Sequence, residues 1–445
     1  MDFEVLKKTL IESAKELGIA EYEIYYSSRA GMSAETLGRE ISSLTSSTSG
    51  GLCFRCLVNG SMGYASTELM EESEMRELVR RAAVNAENTE KEDKVGIFGG
   101  SERYGKTNSQ KYIPLSAEQI KKTALSIQDE NYAVSDKVTD GTQSAVETEE
   151  MTVRIVNSHG LELENTSGVN IVYSAAVVLD RGEHQDDYAF EEYGKITDKE
   201  LAEKAVNGAL ENIGAQSVDT GKYNIVISAK QMRTILSVFS DAFSAKTAQS
   251  GMSLLAGKEG ERIAADIINI TDDPMREGVS VQTPFDAEGV AAYRKDVVKD
   301  GVLLTLLHNR ETALRAGRET TANASKGAYF SPVNVSPYAF CIEAGSNTLD
   351  ELFALAGEGI YITEVKGLHA GANSVTGDFS IESAGFIIKD GKKAFPVRSF
   401  TIAGNFFDML KNISALSDKV EVGLGGPTVF GSPAVLIREM SVAGK

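Results

Sequence analysis

The chain offers few side chains for metal or nucleophile chemistry: four histidines, His159, His184, His308 and His369, and three cysteines, Cys53, Cys56 and Cys341. A hydrolytic zinc site needs three protein ligands and an open coordination position, and two ligands usually come from a His pair on one helix with Glu nearby as general base. No two of these histidines are close enough in sequence to share a helix turn, and none is followed by Glu. Cys53-Phe-Arg-Cys56 has the spacing of a zinc or redox pair. On a strand, however, positions 53 and 56 face opposite ways and cannot chelate one ion; no second pair exists, so all three thiols read as structural. The stretch Gly251 to Gly257-Lys258-Glu259 is one residue too long for a phosphate loop and has Glu where magnesium needs Ser or Thr. No Gly-x-Ser-x-Gly is present. The polar candidates for a binding cleft are His308, which ends the apolar run 302–307, the adjacent Asn309, and His369 with Asn373 and Asp378 in a glycine-rich stretch. Each His also reads as an ordinary hydrogen-bonded structural residue.

These side chains need elements to hold them. Phe3, Leu6, Leu10, Ala14 and Leu17 recur at spacings of three and four and stop at Gly18, which predicts an amphipathic helix lying on a sheet. Strands are expected at 22–28 and 52–59, with Asn59-Gly60 turning the chain into a hairpin with 61–66. Helices are expected at 71–88, 116–130 and 198–213. Between the second and third of these come strands at 151–157, 161–165 and 169–179, with a turn at 157–160. Residues 96–107 read as a linker or crossover, so an internal seam is placed near 96–110. The main boundary is placed near 218, between domains 1–218 and 219–445. Beyond it, a strand at 223–228 feeds a helix at 230–245. Asn309 caps a helix at 310–316 that Gly317 ends. Asp300-Gly301 and Asp390-Gly391 each sit between strand-like runs, which argues for antiparallel pairing. The expected class is α+β, a mixed N-terminal part followed by a domain dominated by antiparallel sheet with flanking helices. The Ser/Thr cluster 42–49 reads as low complexity.

Composition limits the function classes. With 445 residues, 42% of them apolar, more than one core is expected. The formal charge of −19 repels a phosphate backbone, so direct nucleic-acid binding is disfavoured. No apolar run is long enough to cross a membrane, and the acidic start is unlike a secretory leader. The expected setting is therefore the cytoplasm, where sparse cysteines stay reduced.

One connected pattern is more specific than any single residue: Gly367-Leu-His-Ala-Gly-Ala-Asn-Ser-Val-Thr-Gly-Asp-Phe-Ser380, Ala384-Gly-Phe386, Pro396-Val397, Thr401-Ile-Ala-Gly-Asn405 and Met440-Ser-Val-Ala-Gly444. It resembles the TldD/TldE (PmbA) family, also described as modulators of DNA gyrase. The resemblance is strongest from residue 223 onward. It implies a two-domain chain in a heterodimeric zinc peptidase that admits unfolded peptides into an enclosed chamber. The family's catalytic member carries a His-Glu-x-x-x-His helix and a Cys near its C-terminus. Here the corresponding helix, 235–243, reads Ile-Leu-Ser-Val-Phe-Ser-Asp-Ala-Phe, and residues 420–445 contain no Cys. The resemblance therefore implies the metal-free, TldE-like subunit: no cofactor of its own, zinc in a TldD-like partner, and pairing with that partner or with itself. Two other readings stay open, a peptidase with a metal site assembled from distant residues and an acidic interaction protein acting on gyrase.

Overall fold

The structure is a computed structural model that describes residues 3–89, 95–107 and 112–445. Met1, Asp2 and residues 108–110 of the expected seam fall outside the described residues. The fold is α+β, as the patterning implies: long antiparallel strands first, then a more irregular sheet-rich part with flanking helices.

The first sheet runs β3-β2-β1-β4-β5-β6, with β1 at Glu21–Leu37, β2 at Glu40–Val58, β3 at Ser61–Thr67, β4 at Gln143–Asn157, β5 at Glu162–Asp180 and β6 at Glu183–Glu192. Every pairing in it is antiparallel. Because β1 pairs with both β2 and β4, strands from either side of 96–110 lie in one layer. Helix α1 (Phe3–Glu16) buries Phe3, Leu6, Leu10 and Ala14 against this sheet, and α2 (Glu72–Glu87) adds Met75, Leu78, Val79 and Ala82 to the same core. Leu17, expected on the buried stripe, lies past the helix end and is exposed. Helices α3 (Ala117–Val134) and α4 (Asp198–Glu211) cover the other end of the sheet, each opened by a capping box, at Ser116 and Thr197.

Two strand readings differ from expectation. The Ser/Thr cluster 42–49 is part of β2, paired with β1 from Ser43 to Ser49 and bulged at Ser42. The strands expected at 161–165 and 169–179 merge into one, β5, which starts at Glu162 and turns into β6 at Arg181-Gly182, both with positive φ. The predicted hairpin turns Asn59-Gly60, Asp300-Gly301 and Asp390-Gly391 likewise have positive φ at both positions, the geometry that matches strand twist.

In the C-terminal part, strands Lys392–Asn405, Asp378–Lys389, Gly359–Lys366, Gly221–Ile227, Val435–Ala443 and Ile413–Leu416 form a second six-stranded sheet in that order. An extra pairing of Thr401 with Ala443 and Ile402 with Val442 closes five of these strands into a ring. The core beside them takes Met232, Ile235, Leu236 and Phe239 from helix α5 (Ala229–Phe239). Phe239 stacks on Phe406 with ring centroids 4.5 Å apart. A third sheet, from Val302–Leu303 to Glu421–Val422, completes the layers.

Candidate functional site

Side chains on a strand alternate between faces, and the odd positions of the first sheet look away from α1 and α2. Tyr25, Ser27 and Arg29 of β1, Ser49 of β2, Met151 and Val153 of β4, and Asn165 and Ser167 of β5 thereby make one wall of a cleft of about 490 Å³. The other wall comes from the C-terminal part: Val281, Thr283, Phe285 and Asp286, the segment Ala324 to Phe330, Ser336, Tyr338 and Thr428. Several contacts tie the walls together. Asn165 Nδ2 donates to the Gln282 carbonyl at 3.0 Å. The Tyr329 ring covers Gly51, where a Cβ would sit 2.5 Å from ring atoms, and its hydroxyl donates to Glu68 at 2.8 Å.

A layer of buried charge lies beside this cleft. Glu23 and Arg55 are directly opposed in the β1–β2 register and form an ion pair at 2.8 Å, their side chains 2% and 8% exposed. Glu288 accepts from the Arg310 backbone N–H at 2.9 Å, and Arg310 reaches the Gly96 carbonyl at 2.7 Å. Asp286 accepts backbone N–H groups of Glu288, Val290 and Ala324 at 2.9, 3.0 and 3.1 Å. Burial, and then the Glu288 carboxylate, push Asp286 up to about 7. Lys326 projects beside these groups, its Nζ 4.5 Å from the Tyr25 ring centroid and in contact with Cys53. Burial lowers its pKa.

The sequence-predicted residues lie elsewhere, and none of the five lines this cleft. His308 is buried; its Nδ1 meets Thr312 Oγ1 at 3.2 Å and its Nε2 has no hydrogen-bond partner among the described residues. Burial and the nearby Arg318 hold its pKa below the usual value. Asn309 accepts from Thr312 N at 2.8 Å as the N-cap of helix Arg310–Arg315. His369 is exposed on the single turn Leu368–Gly371. Asn373 Oδ1 accepts from Val375 N and Thr376 N, while Asp378 accepts from Asn405 Nδ2 at 3.0 Å. Thr312 thus bonds both His308 and its chain neighbour Asn309, and Asn373 is joined to Asp378, whose carbonyl takes the Asn373 N–H at 2.8 Å. Among the described residues, no hydrogen bond joins the two pairs. Sequence reasoning missed Tyr25, Asp286, Lys326 and Tyr329. A legible trace of the buried layer was the pair of opposite charges, Glu23 and Arg55, each set inside an apolar strand.

The donor set does not fit a zinc site. Helix α5 points Met232, Ile235, Leu236 and Phe239 into the core, and the turn Ser240–Phe243 that follows adds Phe243. Cys53 and Cys56 lie in different cores on opposite faces of β2, as alternation requires. Cys341 is buried, its thiol pushed up to about 12 by burial. Among the described residues, no three His, Cys, Asp or Glu side chains group closely enough to hold a metal ion. No helix of the described residues is long and apolar enough to cross a membrane.

Comparison with known proteins places these features. Residues 220–444 match the PmbA/TldA metallopeptidase C-terminal domain, residues 22–86 match domain 1 of the same family and residues 111–213 its central domain. A metalloprotease PmbA homolog of Haemophilus influenzae is 25% identical over 456 residues, covering 98% of this chain and 94% of that one. A crystal structure from Thermotoga maritima, described as a candidate modulator of a DNA gyrase, is 26% identical with a TM-score of 0.90, covering 99% of this chain and all of that one. TldE from Thermococcus kodakarensis shares the fold with a TM-score of 0.89 at 20% identity, over 99% and 100% of the two chains.

Proposed function

Because the chain belongs to the PmbA/TldD metallopeptidase family, we propose that it is the metal-free, TldE-like subunit of a cytoplasmic peptidase complex whose zinc sits in a TldD-like partner. The observation that carries this reading is the missing donor set. The helix that opens the C-terminal part presents Ile235, Leu236 and Phe239 instead of imidazoles, so nothing on it could lower the pKa of a bound water. In this reading the chain divides near residue 218 and contributes walls, not catalysis. Its substrate is an unfolded peptide, since an enclosed space admits an extended strand and excludes a folded domain.

The test is a cleavage assay on an unstructured peptide with this chain alone, a TldD-like chain alone and both together, with metal analysis of each sample. Activity in the mixture, with zinc in the partner only, is the expected result. Stoichiometric zinc in this chain, or robust cleavage by it alone, would overturn the proposal.

A further inference from the structure

Four side chains of the charged types line the cleft: Arg29, Glu68, Asp286 and Lys326. Three are already matched. Arg29 pairs with Glu149 at 3.0 Å, Glu68 accepts the Tyr329 hydroxyl, and the oxygens of Asp286 take three backbone N–H groups. Lys326 is different. Among the described residues it has no carboxylate within ion-pair distance, and its Nζ is held between the Tyr25 ring and the Cys53 thiol. An ammonium half-withdrawn from water against a ring face and a sulfur retains unfilled donor capacity.

The surroundings narrow the choice of anion. The cleft offers a single uncommitted cation among hydroxyls and apolar side chains, on a chain of net charge −19. A dianionic phosphate would need more positive charge than that, whereas a monovalent carboxylate matches one ammonium. The shape of the ligand follows from the strand beside the cleft. On its outer side β2 is paired with β3 only over Leu52 to Val58. Residues 41–50 therefore present a strand edge with no outer strand partner among the described residues, and Ser49 and Gly50 on that edge line the cleft. An open edge of this kind accepts an extended chain through main-chain hydrogen bonds.

We propose that the cleft is a carboxylate-binding site for an extended peptide, in which the Lys326 ammonium receives either the terminal carboxylate or an Asp or Glu side chain. This deepens the peptide-handling role proposed above, but it rests on the geometry of this chain by itself. The test uses the full chain alone, so its failure leaves the partner-subunit reading standing, and failure of that reading leaves this one to be judged by binding.

The probe is a short N-acetylated peptide of Gly, Ser, Ala and Leu, titrated calorimetrically as the free acid, as the C-terminal amide, and as the amide with one internal Glu. The wild-type chain is expected to bind an acid form at least about ten-fold more tightly than the neutral amide. Preference for the first or third peptide tells which carboxylate is read. Lys326→Met should bring the ratio close to one and Lys326→Arg should keep it. A second readout needs no variant: acylation of Lys326, followed by mass spectrometry, should slow in the presence of an acid peptide and not of the amide. Equal binding of acid and amide, no binding of any peptide, an undiminished ratio in Lys326→Met, or equal protection by both peptides would each overturn the proposal.

Discussion

Replacing Gly51 by Ala should loosen the cleft by acting on a residue far away in sequence. A Cβ at Gly51 would lie 2.5 Å from two ring carbons of Tyr329 and 2.6 Å from the carbonyl oxygen of Thr67. The chain has two ways out. If the ring leaves, the molecule loses the burial of an aromatic side chain that is 8% exposed, up to ~3 kcal/mol, and the hydrogen bond to Glu68, about 1 kcal/mol. If the ring stays, β2 must move against β3, an overpacking cost of about 1–3 kcal/mol. Moving the ring does not relieve the contact with Thr67, so a destabilisation of about 2–4 kcal/mol follows from combining the two routes. A chain of this size need not unfold as one unit, so urea denaturation should be paired with hydrogen exchange of the amides over 324–331, which reads the opening of that loop directly. The mechanism is isolated by a double-mutant cycle. In a Tyr329→Ala background, Gly51→Ala no longer meets the ring but still meets the Thr67 oxygen, and its cost should fall by at least about 1 kcal/mol. Additivity of the two substitutions within about 0.5 kcal/mol would refute the argument that Gly51 is required by the ring.

Other outcomes follow from the same structure. Arg55→Met leaves Glu23 buried without its ion pair and removes the positive charge near Glu288, so it should destabilise by about 3–5 kcal/mol and by more than Glu23→Gln; a loss under 1 kcal/mol in denaturation would contradict this. Asp286 has a folded pKa of about 7 against an ordinary 3.8, so the folded state binds its proton more tightly than the unfolded one. Its contribution to stability is therefore present at low pH and is lost as pH rises from about 4 through 7. Asp286→Asn should flatten the dependence of the urea midpoint over that window, and an unchanged slope would exclude this assignment. Burial pushes the Cys56 and Cys341 thiols up to about 11 and about 12. The native chain should therefore leave both unlabelled by a thiol reagent at neutral pH, and the unfolded chain should yield three free thiols.

Helices and hairpins were legible in the sequence because their signals are local. Ser116 with Gln119, Thr197 with Glu200 and Asn309 with Thr312 lie three residues apart, and Asn-Gly or Asp-Gly turns are two-residue events. The length of β2 was not legible, because Ser42 to Ser49 carry no apolar alternation. They are strand because β1 pairs with them, which is a long-range fact. The cleft was hidden for a similar reason. Lys326 meets Tyr25 and Cys53 across some three hundred residues of sequence, and Tyr329 meets Glu68 across 261 positions; no window of sequence contains both partners. Polar residues in a glycine-rich motif drew attention instead, although much of their bonding is local.

That local bonding makes a sharp comparison within the 367–405 segment. Asn405 donates from Nδ2 to the Thr376 carbonyl at 2.8 Å and to Asp378 at 3.0 Å, while its Oδ1 accepts from Phe407 N to cap the helix Phe406–Asn412. Gly377 beneath it has positive φ, and a Cβ there would lie 3.0 Å from the Asn405 side chain. One side chain thus holds a turn, a strand start and a helix start whose Phe406 stacks on Phe239 in the core. Asn405→Ala removes all three bonds and should cost about 2–3 kcal/mol, one cap plus two exposed hydrogen bonds. His369, by contrast, is exposed on its single turn, so His369→Ala should shift stability by no more than about 0.5 kcal/mol. If the segment is scaffold, both variants keep whatever activity the assembled complex has, in proportion to the folded fraction. A His369→Ala chain that is fully stable yet inactive in the mixed-subunit cleavage assay would instead show that this exposed imidazole faces substrate or partner, and would end the scaffold account of the segment.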